Sequence, residues 1–468
     1  MRITHEKLDK LRLTTKDRLA AGKKLRENVP RSSHSRWTSR KNRVDPIELL
    51  RQSDSGRLLN LLPIRYARMR ESPFSFFRGA AALMAADLAS TPVTGIRVQA
   101  CGDCHVANFG GFGTPERQLI FDINDFDETL PAPWEWDVKR LAASIVLAMR
   151  QSSLGERHCS DAARISMESY RKHMREYAEM TALEVWYSHL NAELFVQKAK
   201  TLDARKRWQK LEAKATLNTS RREFPKITAL QHGRPRIIDR PPLISHSRDI
   251  ARLGKHVRQM LDRYRVTLPE ERRIVLDRYA LVDVARKVVG VGSVGTRCAV
   301  ALLMAGPDDP LLLQFKEARA SVLEPYAGKS RYLNQGERVV TGQRMLQSAS
   351  DVFLGWTGDD QGHDFYIRQL RDMRMKIDVK AISRQDWFEY VKLCGWVLAR
   401  AHARTGDPAC IAGYLGKTEA FDEAIATFAV AYADQTERDH ASFLKAIRAG
   451  RIRARRHRRL THRSKHKP

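Results

Sequence analysis

The spacing of hydrophobic residues changes along this chain, from a helical period in its first half to short strand-like runs from residue 281. Apolar residues recur at helical spacing over 45–92, in Trp134–Arg150 and over much of 160–215, which predicts helices. Glycines and a proline interrupt 97–126, where we expect a loop with short strands. The first half of the chain is therefore predicted to be mainly helical.

The second half is predicted to contain a small antiparallel sheet flanked by helices. Four short apolar runs predict strands: Val282–Val289, Cys298–Met304, Leu311–Lys316 and Phe365–Leu370. Helical spacing predicts four helices: 317–326, 335–350, 385–405 and 418–447. Between the halves, Lys226–Ser245 is expected to form a hairpin or an extended connector, and we place a boundary near residue 250.

These patterns indicate an α+β chain in five parts. In order they are a basic N-terminal arm (1–44), a helical part (45–250), a strand-rich part (251–376), a second helical part (377–447) and a disordered basic tail (448–468). A chain of 468 residues is long enough for the cores of two or three domains.

Composition argues against a membrane or secreted protein. No run approaches the roughly 18 apolar residues of a membrane span, and the first residues lack the apolar segment of a secretory signal. The six cysteines form no recognisable disulfide framework, which favours a reducing compartment. We expect a cytoplasmic protein with no membrane partner.

The net charge of +29 is concentrated at the two ends of the chain. Residues 1–44 and residues 448–468 each carry a net charge of +10, which leaves +9 for the 403 residues between them. Such basic ends favour weak, salt-sensitive contacts with nucleic acid or other polyanions rather than sequence-specific recognition.

Candidate chemistry lies in two neighbouring acidic motifs. Asp103 and Asn108 are five residues apart in Cys101–Gly110, and Asp125 and Asp127 follow in the acidic segment Phe121–Glu128. Phosphoryl transfer uses an Asp to orient a hydroxyl group, and an Asn and an Asp to hold metal ions on the nucleotide phosphates. Asp103 and Asn108 are therefore the predicted catalytic residues. Asn108, Asp125 and Asp127 are the predicted Mg²⁺ ligands, with Asp122 as a possible helper.

A glycine-rich turn in the second half predicts a nucleotide site. Gly290, Gly292 and Gly295 stand between two predicted strands, whereas a dinucleotide fold would lead from such a motif into a helix. Glycines in this position let backbone N–H groups approach the phosphates of ATP. Lys316, on the next strand, is the candidate to contact the α- and β-phosphates, and Glu337 is the first choice for its partner, with Glu324 second.

The paired motifs resemble those of the aminoglycoside phosphotransferase and choline kinase-like branch of the kinases. That branch has a catalytic loop H-G-D-x-H-x-x-N, a strand ending in I-D-F or I-D-W, and later an Asp that braces the loop. Gly102–Asn108 matches the loop and Asn124–Asp127 matches the strand end. The resemblance implies Asp137 as the brace. Cys101 stands where the branch usually has His.

The order of these motifs differs from that branch, because the catalytic loop precedes the glycine turn. If the two ends of the chain were joined, the motifs would follow in the order of that branch, since Cys394–His402 resembles the helix that normally precedes the catalytic loop. The implied fold is an α+β, protein kinase-like bilobal fold in circularly permuted order, with a mostly helical C-lobe and a small antiparallel-sheet N-lobe. Residues 70–440 also resemble the bacterial family called domain of unknown function 2252. Its recurring phrases include Ser72-Pro73-Phe74, Phe77-Arg78-Gly79 and Val289–Thr296.

The resemblance implies an ATP- and Mg²⁺-dependent phosphotransferase acting on an unknown hydroxyl acceptor, either a small molecule or a protein. Alternatives on the same fold are a nucleotidyltransferase and a nucleotide-binding pseudokinase or scaffold that binds polyanions weakly through its basic ends. Two further interpretations remain open. One is a metal site built from Cys101, Cys104, His105 and His402, and the other is an acidic turn that is merely solvated.

Overall fold

Helices and antiparallel sheets alternate along the chain in the computed structural model, which describes residues 13–191, 219–246, 250–288, 290–370 and 375–455, Met373 and a few positions between 206 and 217. The protein is a mixed helical and sheet structure, in agreement with the α+β class predicted.

The α-helices of the described residues run through most of the chain. In order they are α1 (Thr15–Lys24), α2 (Pro46–Ser53), α3 (Leu62–Met69), α4 (Pro73–Gly79), α5 (Ala81–Leu88), α6 (Trp134–Gln151), α7 (Glu156–Glu179), α8 (Ala182–Tyr187), α9 (Ser220–Ile227), α10 (Ile250–Arg265), α11 (Glu270–Leu276), α12 (Glu324–Ala327), α13 (Gln335–Leu346), α14 (Arg384–Ala403), α15 (Pro408–Leu415) and α16 (Ala420–Arg448). The predicted helix 317–326 is wrong over most of its length, because a strand continues to Ala318 and only the short α12 follows it.

The strands form one large sheet and three small ones. In order they are β1 (Arg97–Ala100), β2 (Phe109–Gly113), β3 (Leu119–Ile123), β4 (Leu130–Pro133), β5 (Thr228–Gln231), β6 (Arg234–Ile237), β7 (Ile244–Ser245), β8 (Ala280–Lys287), β9 (Cys298–Gly306), β10 (Asp309–Ala318), β11 (Gly355–Gly358), β12 (Asp364–Gln369) and β13 (Met375–Lys376). The expected hairpin in the connector forms from β5 and β6.

The large sheet has the order β11-β12-β10-β9-β8-β7, and its described pairs are antiparallel. All four predicted strands lie in it, although Val289 is outside the described residues. The boundary predicted near residue 250 is too late for this sheet, because β7 already pairs with β8. The register sets Lys316 of β10 opposite Cys298 of β9 and Tyr366 of β12, in the middle of the sheet.

Two of the small sheets bring the acidic motifs together. Strand β1 pairs with β4, and β2 pairs with β3, while β13 extends the second pair. The chain leaves β1 through the loop 101–108 and returns to β4 through the turn 124–129. Because β1 and β4 are neighbours, these two connections lie beside each other.

Helix α6 forms the centre of the helical core. Every residue from Trp134 to Met149 is buried, so the amphipathic helix expected here is covered on all sides. It contacts α7 and α16, and α7 also packs against α14. Charged residues in this helix are therefore buried with the apolar ones, and two of them, Asp137 and Arg140, take part in the candidate site. No helix among the described residues has the length and apolar character needed to cross a membrane.

The basic ends of the chain are attached to this core where the structure describes them. The side chains of Arg26 and Arg31 donate to backbone carbonyls in 413–415. Near the other end, Ile452 is 5% exposed and the N–H of Arg455 donates to the carbonyl of Pro63. The predicted disordered tail therefore does not begin at residue 448; residues 456–468 lie outside the described residues.

Candidate functional site

The loop after β1 is fixed in place by a buried carboxylate from α6. Asp137 is 1% exposed, and its two oxygens accept hydrogen bonds from the N–H groups of Cys101, at 2.6 Å, and Gly102, at 3.0 Å. Gly102 has a φ of +83°, and a Cβ atom there would lie 2.2 Å from the carbonyl oxygen of Glu128. Only glycine fits this close approach of the loop to the acidic turn.

Asp103 and Asn108 are joined through the backbone. Asn108 Nδ2 donates to the carbonyl oxygen of Asp103 at 2.8 Å, and the carbonyl of Asn108 accepts the N–H of Asn124 at 2.8 Å. The first bond closes the loop on itself and the second ties it to the acidic turn. Asn108 Oδ1 has no hydrogen-bond donor among the described residues, so it remains open to a ligand.

A buried arginine holds the side chain of Asp103. Arg140 Nε donates to Asp103 Oδ1 at 2.7 Å, and Arg140 Nη2 donates to the same oxygen. The guanidinium also lies 4.2 Å from the centre of the Phe77 ring. The Asp103 side chain is 21% exposed, and its second oxygen, Oδ2, lies 3.9 Å from Nε2 of buried His105. The sequence analysis missed Arg140, although a cation inside an otherwise apolar helix was a signal.

Lys316 connects the large sheet to the acidic turn. Its Nζ lies 2.5 Å from Asp127 Oδ2 and 3.4 Å from Asp125 Oδ1, and the lysine side chain is 4% exposed. Burial lowers the pKa of Lys316, but the two carboxylates outweigh it and raise the pKa well above its usual value. Lys316 is therefore a charged ammonium group in the folded protein.

The two acidic residues of the turn differ in their surroundings. Asp127 also accepts hydrogen bonds from the hydroxyls of Tyr366, at 2.8 Å, and Ser293, at 2.9 Å. Burial raises the pKa of Asp127, yet Lys316 and these donors bring it down to about 2. Asp125 keeps 38% of its side-chain surface accessible, and burial beside Asp127 raises its pKa. Asp127 is thus engaged within the protein, whereas Asp125 is open.

The structure does not bring Glu337 to Lys316. Among the described residues, the ion pairs of Lys316 go to Asp125 and Asp127, and none goes to Glu337 or to Glu324. The next residue of α13, Arg338, makes the connection to the turn instead. Its guanidinium donates to the carbonyl oxygens of Thr129 at 2.6 Å, Asp127 at 2.8 Å and Arg319 at 2.7 Å.

Asp122 belongs to the core and not to the site. It is fully buried and pairs with Arg400, whose Nη2 lies 2.7 Å from Oδ1 and 2.8 Å from Oδ2. The N–H and hydroxyl of Ser348 donate to the same carboxylate, each at 3.0 Å. The suggestion that Asp122 assists the chemistry is therefore wrong.

The glycine turn packs against helices of the first half of the chain. A Cβ atom at Gly292 would lie 3.3 Å from the carbonyl oxygen of Arg78, and one at Gly295, where φ is +96°, would lie 3.1 Å from Arg57. A Cβ atom at Gly290 would meet nothing within 4 Å. Two of the three predicted glycines therefore allow close packing, and Gly290 borders open space.

Three backbone N–H groups of this turn have no hydrogen-bond acceptor within the described part of the chain. The hydroxyl of Ser293 donates a hydrogen bond to Asp127 and so holds the turn against the acidic residue. Within the described part of the chain, the N–H groups of Gly292, Val294 and Gly295 have no acceptor, and Val294 is fully buried. Successive unpaired N–H groups in a glycine turn form a concave site suited to phosphate.

Three carboxylates and four cations surround the space between the turn and the loop. The carboxylates are Asp103, Asp125 and Asp127, and the cations are Arg78, Arg140, Lys316 and Arg368. The sequence analysis named the carboxylates and Lys316 but missed the three arginines. Glu128 of the same turn interacts with Asp103 and Asp127 as well, so positive and negative groups are about balanced around this space.

The residues fit a magnesium ion bound with phosphates better than a zinc ion. Among the residues that the structure describes, no three His, Cys, Asp or Glu side chains converge as a metal site, which argues against the Cys101–Cys104–His105 proposal. Magnesium takes oxygen ligands and commonly keeps one or two protein groups besides phosphates and water. The oxygen groups that could serve such an ion are Asp125, with its side chain 38% exposed, and Asn108 Oδ1, whereas Asp127 is paired more closely with Lys316.

A cavity of about 310 Å³ lies beside this site, between β1, β4 and α13. Basic side chains on its wall include Arg97, Lys329, Arg331 and Arg338. None of the predicted site residues lines it. Arg338 is shared between the cavity wall and the acidic turn.

A family model described as an uncharacterized protein conserved in bacteria (DUF2252) matches residues 57–446. A search of the curated proteins and a search of the solved structures found no match. The matched range contains every residue of the site described above. The family description assigns no substrate and no reaction.

Proposed function

The chain belongs to this DUF2252 family of bacterial proteins, and we propose that it is an ATP- and Mg²⁺-dependent phosphotransferase that acts on a hydroxyl acceptor. The observation that carries the proposal is the contact between Lys316 and Asp125, which are 191 residues apart in sequence. It joins the lysine strand β10 to the acidic turn, which lies beside the loop that carries Asp103 and Asn108. Kinases need that combination to hold nucleotide phosphates and metal against an acceptor.

The arrangement of elements supports a kinase-like bilobal fold in circularly permuted order. From the glycine turn the chain runs through β9, the Lys316 strand β10, two helices (α12 and α13), three strands (β11, β12 and β13) and α14. The catalytic loop completes the ring from the other end of the sequence. His402 of α14 lies 3.3 Å from Asp137, the residue that braces that loop. Compact domains tolerate such permutation when the termini lie at the surface.

The transfer assigns one role to each group. The acceptor oxygen forms a bond to the terminal phosphorus of ATP while the bond from that phosphorus to the bridging oxygen breaks, and ADP leaves with the electron pair. The hydroxyl proton passes to the free oxygen of Asp103. Bound Mg²⁺, held by Asp125 and Asn108, would neutralise charge on the phosphates. Lys316 and the N–H groups of the glycine turn hold the phosphates that do not move.

A nucleotide-binding pseudokinase is the second candidate, and the pairing of Asp103 with Arg140 favours it. Two N–H donors of Arg140 already bind Oδ1 of Asp103, so that carboxylate oxygen is not available to an acceptor hydroxyl. Replacing Asp103 by Asn separates the two candidates. A phosphotransferase loses about 10²- to 10⁴-fold in turnover and keeps nucleotide binding, whereas a pseudokinase shows no turnover before or after the change.

Calorimetric titration of ATP, with and without Mg²⁺, tests the site directly. Wild type is expected to bind ATP more tightly with Mg²⁺, and Asp125→Ala is expected to lose that metal dependence. Asp308→Ala, which removes an exposed acid from the turn between β9 and β10, is the matched control and should behave as wild type. Absence of ATP binding by wild type under both conditions would refute the proposal. The mass of an acceptor after incubation then distinguishes phosphate transfer from nucleotidyl transfer.

A further inference from the structure

Arg78 is an arginine at the site with no protein partner. It lies near the end of α4, and its Nε atom is fully buried without a hydrogen-bond acceptor. Among the described residues its side chain makes no ion pair and no hydrogen bond, and its guanidinium lies 5.8 Å from the centre of the Phe74 ring. Arg78 as a whole is half-buried, so part of the residue is accessible.

Other arginines around the same helix are paired. Arg65 donates to Asp54 at 2.6 Å and to the carbonyl of Gly79 at 2.7 Å. Arg140 donates to Asp103 and, at 3.1 Å, to the carbonyl of Phe77. A buried polar group without a partner destabilises a fold, so its presence calls for a functional explanation. Arg65 Nε also lacks an acceptor, but the terminal nitrogens of Arg65 and Arg140 bind carboxylates and carbonyls, whereas the Arg78 guanidinium has no acceptor among the described residues.

The surroundings of Arg78 identify what it would bind. The Phe74 ring that Arg78 contacts lies 6.3 Å from the ring of His105, and His105 Nε2 is 3.9 Å from Asp103 Oδ2. Burial lowers the pKa of Arg78, and the carboxylates of Asp103 and Asp125 offset part of that effect. The glycine turn lies against the same residue, because the carbonyl of Arg78 is 3.3 Å from the Cβ position of Gly292. Arg78 is therefore close to the acceptor-orienting aspartate, the metal-binding aspartate and the phosphate turn together.

We propose that Arg78 binds the terminal phosphate of a nucleoside triphosphate and is a catalytic residue supplied by helix α4. This rests on the proposed function. The transferred phosphoryl group has to lie between Asp103 and Asp125, while Lys316 and the glycine turn serve the other phosphates. A guanidinium presents two parallel N–H donors to phosphate oxygens, and it stabilises the charge that spreads over them during transfer.

The proposal predicts that Arg78 distinguishes a triphosphate from a diphosphate. The probes are ADP and a non-hydrolysable ATP analogue, each titrated with Mg²⁺ into the full chain by calorimetry. Arg78→Met keeps the side-chain stem on Phe74 and removes the charge. It is expected to weaken binding of the analogue about 10- to 100-fold and to leave ADP affinity within about 2-fold. Retained ADP binding shows that the variant is folded.

Two further variants complete the test. Arg70→Met removes a partly buried arginine at the end of α3 and should leave both affinities unchanged. Arg78→Lys keeps the charge but not the paired donors, so it should weaken the analogue by a smaller factor, and it decides the question if Arg78→Met does not fold. If Arg78→Lys and any folded Arg78→Met keep the wild-type ratio of analogue affinity to ADP affinity, the role of Arg78 is overturned. The proposed function is not affected by that result. Wild type that binds neither probe overturns the proposed function and this inference with it.

Discussion

Replacing Asp137 by asparagine tests whether a buried carboxylate on α6 is what holds the catalytic loop. The substitution keeps the size of the side chain and removes only its charge and one acceptor oxygen. The carboxylate accepts two backbone N–H groups, those of Cys101 and Gly102, through different oxygens. Asparagine has a single oxygen, so its NH₂ group faces one of these donors in either orientation.

The expected loss follows from that geometry. With Asp137 1% exposed, water does not replace the missing acceptor. A hydrogen bond to a charged group contributes about 1.5–3 kcal/mol, and a buried donor left unpaired costs about 1–3 kcal/mol. The variant should therefore lose about 3 kcal/mol in the free energy of unfolding. Its loop should also hold Asp103 less firmly, which lowers turnover more than it lowers ATP affinity.

Thermal unfolding followed by calorimetry measures the effect, with Asp45→Asn as the matched control. Asp45 is an exposed helix cap that accepts one N–H, from Ile47 at 2.7 Å. Asparagine caps helices about as well as aspartate does, so the control should change stability by less than about 0.5 kcal/mol. The midpoint of Asp137→Asn should fall by about 3 °C relative to it. Equal midpoints for the two variants would show that the carboxylate does not brace the loop.

Two further predictions concern packing and pH. Gly342→Ala should destabilise the protein by about 1–3 kcal/mol, because the new Cβ would lie 2.3 Å from buried Thr129. Gly254→Ala is the control, since a Cβ at this helix position would meet no atom within 4 Å and should not destabilise the protein. Urea denaturation of both variants measures the difference. Burial lowers the pKa of His34 to about 3 in the folded protein, so below pH 6.5 only the unfolded chain binds a proton at this residue. Between pH 6.5 and 4.5 the free energy of unfolding of wild type should therefore fall by about 2 kcal/mol more than that of His34→Phe. Equal acid sensitivity of the two proteins would contradict that value. The titratable side chains facing His34 are Lys139 and Tyr414.

The large sheet was predictable because its strands are short apolar runs separated by turns. The strand that was missed, β11, reads Gly-Trp-Thr-Gly and pairs only with β12, so local composition gives little sign of it. Helix α6 was found at nearly its true bounds, yet its burial on all sides was not. Burial of that kind depends on α7 and α16 covering it, and their positions are not encoded in the period of α6 itself.

The residues of the candidate site likewise fall into those that the sequence predicted and those that it did not. Contiguous motifs indicated Asp103, Asn108 and Asp125, because their spacing carries the chemistry. Arg140 and Arg338 were missed, because each acts on a group that is distant in sequence, at separations of 37 and 211 residues. The helix glutamate expected for Lys316 came from the resemblance, whereas the observed pairing with the acidic turn depends on how the two parts of the chain meet.

The high positive charge of the chain also has a different meaning once the fold is known. Several arginines of the basic N-terminal arm are structural donors, since Arg26 and Arg31 bind carbonyls of α15 and Arg43 binds both Asp87 and Asp439. A guanidinium committed to internal acceptors is less available to a polyanion, because binding would have to break those bonds. Much of the charge in 13–44 therefore serves the fold. Among the arginines discussed, Arg78 lies at the site and has no side-chain hydrogen bond or ion pair with the described residues. We therefore assign the binding of an anionic ligand to Arg78 rather than to the basic arm.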